Sequence, residues 1–245
     1  MAFPRIFFAL FALVSIASGE PPFGGTIFLD PDIITATDPS TYVKVVDKGQ
    51  ANRTMFDRRT NRFGKYNAYL FTAKFSDLPS VEVQVNPEFS QSKARRLAMK
   101  YARVIGRLPK CLRLDLKTVW IHDGVQPFGG GNNNLLIHTG QSVFYERDGI
   151  LEETFVHEAC HTSLDASHGD SPGWMAAQSS DPDFISTYAR DNPTREDIAE
   201  TFLVWLAVHH RPERVDKSLR ETIRSTVPAR LKYFSAQRFD VRPVD

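Results

Sequence analysis

A chain of 245 residues with 42% apolar and 24% charged side chains is large enough to bury one good-sized core, and a single domain is its default organisation. Its formal net charge is +1, from 30 basic and 29 acidic residues, so no overall field draws it to nucleic acid or to an anionic membrane surface.

The first nineteen residues read as a secretory signal: Arg5, an apolar run from Ile6 to Ile16, then Ala17, Ser18 and Gly19. That run is too short to span a membrane, and no later run is long enough. The expectation is an exported, soluble monomer. Export permits a disulfide between Cys111 and Cys160, with two buried free thiols as the alternative. Asn52-Arg53-Thr54 is a glycosylation acceptor if the source is eukaryotic.

Residues 20–62 are rich in Pro, Asp and Thr, with short apolar bursts at 26-TIFL-29 and 42-YVKVV-46. They predict an irregular N-terminal segment with a few strands, ahead of the main domain at 63–245. The alternating runs 67-NAYLFTAKF-75 and 81-VEVQV-85 predict a hairpin. In 90-SQSKARRLAMKYARVIG-106, one apolar stripe from Ala94 to Ile105 faces basic residues, and Gly106 closes the segment, which predicts a helix. Two strands follow, 116-LKTVWIH-122 and 134-NLLIH-138, around the Gly/Asn-rich connection 123–134. Helices are expected at 150–165, 193–209 and 213–226, with 166–192 as a long connection. Strands first and helices afterwards make the fold class α+β.

The chemistry is concentrated in 154-TFVHEACHTSLDASHGD-170. His157-Glu158-Ala159-Cys160-His161 fits H-E-x-x-H, in which residues four apart on a helix turn two imidazoles toward one ion. A catalytic zinc site takes three protein ligands and keeps one position open. Asp165 continues the spacing but lies about 12 Å along the helix from His157, too far to share the ion. His168 is out of step with the longer H-E-x-x-H-x-x-G-x-x-H arrangement, which would need Gly at 164 and His at 167. In 188-YARDNPTREDIAETFLVWLAVHH-210, Asn192 can cap a helix that has Pro193 first and Glu196 in its opening turns. Glu196 can then supply the third ligand, while Glu200, one turn on, can hydrogen-bond the free nitrogen of a ligand histidine. Two surface glutamates making local contacts are the alternative.

The pairing of 157-HEACH-161 with 187-TYARDNPTREDIAETF-202 resembles the zinc peptidase domain of anthrax lethal factor and its relatives, over roughly residues 130–210. The resemblance implies a zincin-like metallopeptidase domain at 63–245, with Zn2+ on His157, His161 and Glu196. It also implies Glu158 as general base, Tyr188 as the donor to the oxyanion, and Glu200 as the carboxylate behind a ligand. The run from Tyr188 to Glu196 is one residue longer than is usual in that family. Through 126-QPFGGGNNNLLIHTGQ-141 and 183-DFISTYARDNPTREDIAE-200, the chain is also similar to a family of uncharacterised exported proteins.

The expected activity is hydrolysis of a peptide or protein substrate. The strand 134–138 is the candidate edge for holding the substrate, and loop 126–134 and connection 166–184, with Trp174, would frame the cleft. The rival reading is a non-catalytic exported binding protein in which a fourth ligand, from His168, Asp165 or Cys160, makes the zinc structural.

Overall fold

The computed structural model describes residues 19–27, 29 and 33–244. The signal sequence therefore lies almost wholly outside the described residues. Six strands form one mixed sheet: β1 (Tyr42–Asp57), β2 (Arg62–Phe75), β3 (Val81–Val85), β4 (Thr118–His122), β5 (Gly129–Gly131) and β6 (Asn134–His138). Their order across the sheet is β1-β2-β3-β4-β6-β5. The first three are antiparallel neighbours; β3, β4 and β6 run parallel, and β5 folds back antiparallel on β6.

The parallel step from β3 to β4 needs a crossover, and helix α1 (Gln91–Ile105) supplies it. Ser90 caps α1 by accepting from the Lys93 amide, and Ala94, Ala98, Tyr101 and Ile105 are buried. On that face of the sheet Phe71, Val83, Val119 and Leu135 lie in register across four strands and belong to the main core. The helical half follows β6: α2 (Thr139–Arg147), α3 (Leu151–Ser163), α4 (Asp165–His168), α5 (Pro172–Ser180), α6 (Thr187–Asp191), α7 (Asp197–His210), α8 (Lys217–Thr226) and α9 (Pro228–Ala236). Helices α3 and α7 are buried almost all round and pack on each other, which is why neither has a clean polar face. The architecture is α+β.

Several expectations change here. Residues 42–57 are a continuous 16-residue strand, paired with β2 from Tyr42↔Phe75 to Asp57↔Arg62. The division at 62/63 therefore falls inside a hairpin. Both arms are far longer than β3, and the overhang turns across the outer face of the sheet, where Phe63 meets Trp120 edge-on at 6.1 Å. The span 166–192 is largely helical. Trp174 does not frame a cleft; it is buried against Tyr233 and Phe234. Pro193 does not open α7, because the Arg195 and Glu196 amides both return to the Asn192 carbonyl in a turn that delays the helix to Asp197.

Cys111 and Cys160 are buried free thiols, not a disulfide. Each is enclosed by core side chains, and burial pushes Cys111 up to about 12 and Cys160 well above its ordinary value. Asn52 lies exposed on β1. Among the described residues no helix is long and apolar enough to cross a membrane.

Candidate metal centre

Helix α3 carries His157 and His161 one turn apart, with ring centroids 5.0 Å from each other. Glu196 closes the group from the residue just before α7 and is 4% exposed. Its Oε2 lies 3.2 Å from Nε2 of both histidines, and the two Nε2 atoms are 3.3 Å apart. Donors at about 2.0–2.1 Å from a tetrahedral ion are separated by about 3.3 Å. The triangle therefore fits one small ion, and the three side chains are the metal-capable group among the described residues.

The far nitrogen of His161 is held as well, and that of His157 faces a carboxylate without a hydrogen bond. Nδ1 of His161 is 2.8 Å from Oδ2 of Asp165, and Nδ1 of His157 is 3.4 Å from Oε1 of Glu200, longer than a well-aligned hydrogen bond. A donor on Nδ1 leaves the Nε2 lone pair facing the centre. Burial opposes charge on His161, but hydrogen bonds to Asp165 and Glu196 outweigh it and push the metal-free imidazole up to about 10. Burial likewise opposes charge on Glu196, and there too hydrogen bonds win, so that His157 and His161 hold the carboxyl well below its usual range.

Glu200 is anchored by a part of the chain in which the sequence shows no site. Its Oε2 accepts from the Thr26 amide at 2.7 Å and from the Ser186 hydroxyl at 2.6 Å, and its main-chain carbonyl accepts from Thr26 Oγ1. Residues 23–26 lie against the start of α6, where the Thr187 and Tyr188 amides donate to the Phe23 and Gly24 carbonyls. This N-terminal strap thus positions both the carboxylate behind His157 and the backbone of Tyr188.

The cleft above the triangle holds about 120 Å³, room for a few waters or one peptide group. Glu158 and Tyr188 line it, together with Arg58, Arg195 and the segment Pro127–Gly130. The Tyr188 ring stacks beside His157 at 6.4 Å, and burial together with the Glu196 carboxylate pushes its hydroxyl up to about 12. A larger cavity, about 500 Å³ between α1 and the start of α3, has no comparable ligand set.

One wall of the cleft is β5, seated directly on α3. A Cβ on Gly130 would lie 1.7 Å from the Glu158 carbonyl oxygen, so only glycine allows the approach, and the Gly131 amide donates to Thr162 Oγ1. The strand 134–138 is not an edge, because it lies between β4 and β5 and is buried throughout. The edge is β5.

The other metal-capable side chains stay outside the triangle. His168 bonds the Tyr233 hydroxyl at 2.7 Å, and Cys160 lies in the core. His122 and His138 stack on each other at the ends of β4 and β6. Sequence reasoning missed Arg58, Ser186 and Thr26, whereas the loop 126–134 borders the cleft as expected, through Pro127–Gly130. Comparison with models of known protein families, with curated proteins and with solved structures found no match.

Proposed function

We propose that this chain is an exported zinc metallopeptidase of the zincin type. The observation that carries the reading is the triangle of His157, His161 and Glu196 donors at 3.2–3.3 Å with Glu158 and Tyr188 lining the same cleft. Zinc held by three protein ligands polarises a carbonyl and lowers the pKa of water toward neutrality. Glu158, one residue from His157 on the exposed side of α3, accepts the proton of the attacking water and passes it to the leaving amine. Tyr188 donates its hydroxyl proton as a hydrogen bond to the oxyanion. The substrate lies extended beside β5, the strand whose outer side borders the cleft.

A structural zinc site would need a fourth protein ligand. The candidates for it are engaged elsewhere: Asp165 on the far nitrogen of His161, His168 on Tyr233, and Cys160 in the core. Metal content and cleavage of a broad peptide library, measured for the wild type and for Glu158→Gln, test the reading. The expected result is one zinc per chain in both and a loss of at least about a hundredfold in cleavage for the variant. Cleavage that survives Glu158→Gln, or a wild type that cleaves no peptide, would overturn it.

A further inference from the structure

Arg58 and Arg59 are neighbours at the tip of the β1–β2 hairpin, and they end in opposite circumstances. Arg59 is engaged by both oxygens of Asp57 and by Glu88. The Arg58 side chain has no hydrogen-bond or ion-pair partner among the described residues, and its Nε is buried without one. Its Nη2 lies against β5, close enough that a Cβ on Gly129 would be 2.7 Å away. A guanidinium stays charged at every physiological pH, and leaving one of its buried donors unsatisfied costs stability. Such a group in a wall that also contains the metal-binding residues is placed for an anion that arrives with the ligand.

Arg58 also sits on a boundary. It lines the cleft over His157 and Glu158, and equally a neighbouring hollow of about 380 Å³ whose walls include Phe56, Phe63, Trp120 and Leu136. An extended peptide passing along β5 would present a side chain to each. The planar fork of Arg58 matches a carboxylate with two parallel hydrogen bonds, and the aromatic hollow matches an apolar side chain. We propose that Arg58 receives a carboxylate of the substrate next to the bond that is cut, from an aspartate or glutamate side chain or from a free C-terminus, with an apolar residue beside it in the hollow. The inference rests on the peptidase reading of the cleft, and it makes acidic peptides the substrate class.

Two peptide pairs test it, each differing in one group: an internal Glu against Gln, and a free C-terminal acid against its amide. Binding is read by fluorescence anisotropy in zinc-loaded Glu158→Gln protein, which retains the peptide, and cleavage is read as kcat/KM in the wild type. The acid member of at least one pair should be favoured by about tenfold or more in both measurements. The pair that discriminates identifies the source of the carboxylate. Arg58→Met, in each background, should bring that ratio close to one, and Arg58→Lys should restore part of it. Because the ratio is taken within one protein, a general loss of folding does not imitate the effect. Equal handling of both pairs, or a preference that survives Arg58→Met, overturns the proposal. If acid-selective binding depends on Arg58 but the wild type cleaves nothing, the carboxylate receptor stands and the peptidase reading falls.

Discussion

At the scale of single residues, the helical rise both disqualifies Asp165 and gives it a role. An unbroken helix would set it about 12 Å from His157; α3 in fact ends at Ser163, and Asp165, the first residue of α4, lies 2.8 Å from Nδ1 of His161. There it fixes the tautomer and raises the basicity of the nitrogen that would face an ion. Asp165→Asn should therefore weaken zinc binding by about 10- to 100-fold while both histidines remain in place. A competition titration against a chromophoric chelator measures this, and unchanged affinity would remove Asp165 from the site. Glu196 was nominated from its place near the start of the next long helix, and the pairing of His157 with His161 was legible in the sequence because a four-residue spacing is a helical property. Arg58 and Thr26 were not. Arg58 reaches the cleft from a hairpin tip and Thr26 reaches Glu200 from an N-terminal strap, and the destination of such segments is decided by tertiary packing that leaves no local pattern.

The elements show the same division between local and non-local causes. Helix α1 and strands β3 and β6 fall where periodicity predicts, since each has one face buried in a continuous core or, for β6, both. Strand β1 was obscured because its solvent-facing positions interrupt the apolar pattern, leaving only Val45, Met55 and Asp57 buried. Two helices were hidden by proline. Pro172 follows the capping Ser171, and Pro228 opens α9, so each marks a first helical position, where proline's missing N–H is no loss. The most consequential element is also the shortest. Strand β5 occupies its place because Gly130 lets backbone meet the Glu158 carbonyl. Gly130→Ala forces the strand off α3 and should cost about 1–3 kcal/mol, together with a loss of peptide binding. Urea melts beside an anisotropy titration check this, and a variant as stable as the wild type with intact binding would show that β5 is not pinned as described.

For the whole molecule, the buried acids set how stability depends on pH. Glu153 joins α3 to the N-terminal segment, its Oε1 accepting from the Ile33 and Ile34 amides while Oε2 is buried without a partner. A proton on Oε2 relieves that burial, which pushes Glu153 up from 4.5 to about 7. Burial also raises Asp197 to about 6, although Arg230 opposes the shift. In the window between their unfolded and folded values these two acids bind more protons in the native chain than in the unfolded one, so their contribution to stability falls as pH rises from about 4 to 7, while His138, which burial lowers to about 4, contributes in the opposite sense over much of that range. Arg214 and Arg59 act in the other direction, holding Asp38 and Asp57 at about 2, so stability also falls as pH drops from about 4 to 2. Between pH 4.5 and 7 the Glu153 carboxyl by itself should remove about 3 kcal/mol of stability from the metal-free protein. Glu153→Gln carries no titrating proton and should move the slope between pH 5 and 7 in the positive direction relative to the wild type. Urea unfolding of the metal-free wild type and variant at pH 5, 6, 7 and 8 measures that slope. Parallel curves for the two proteins would mean that the carboxyl stays ionised in the core, its charge held by the two amides alone.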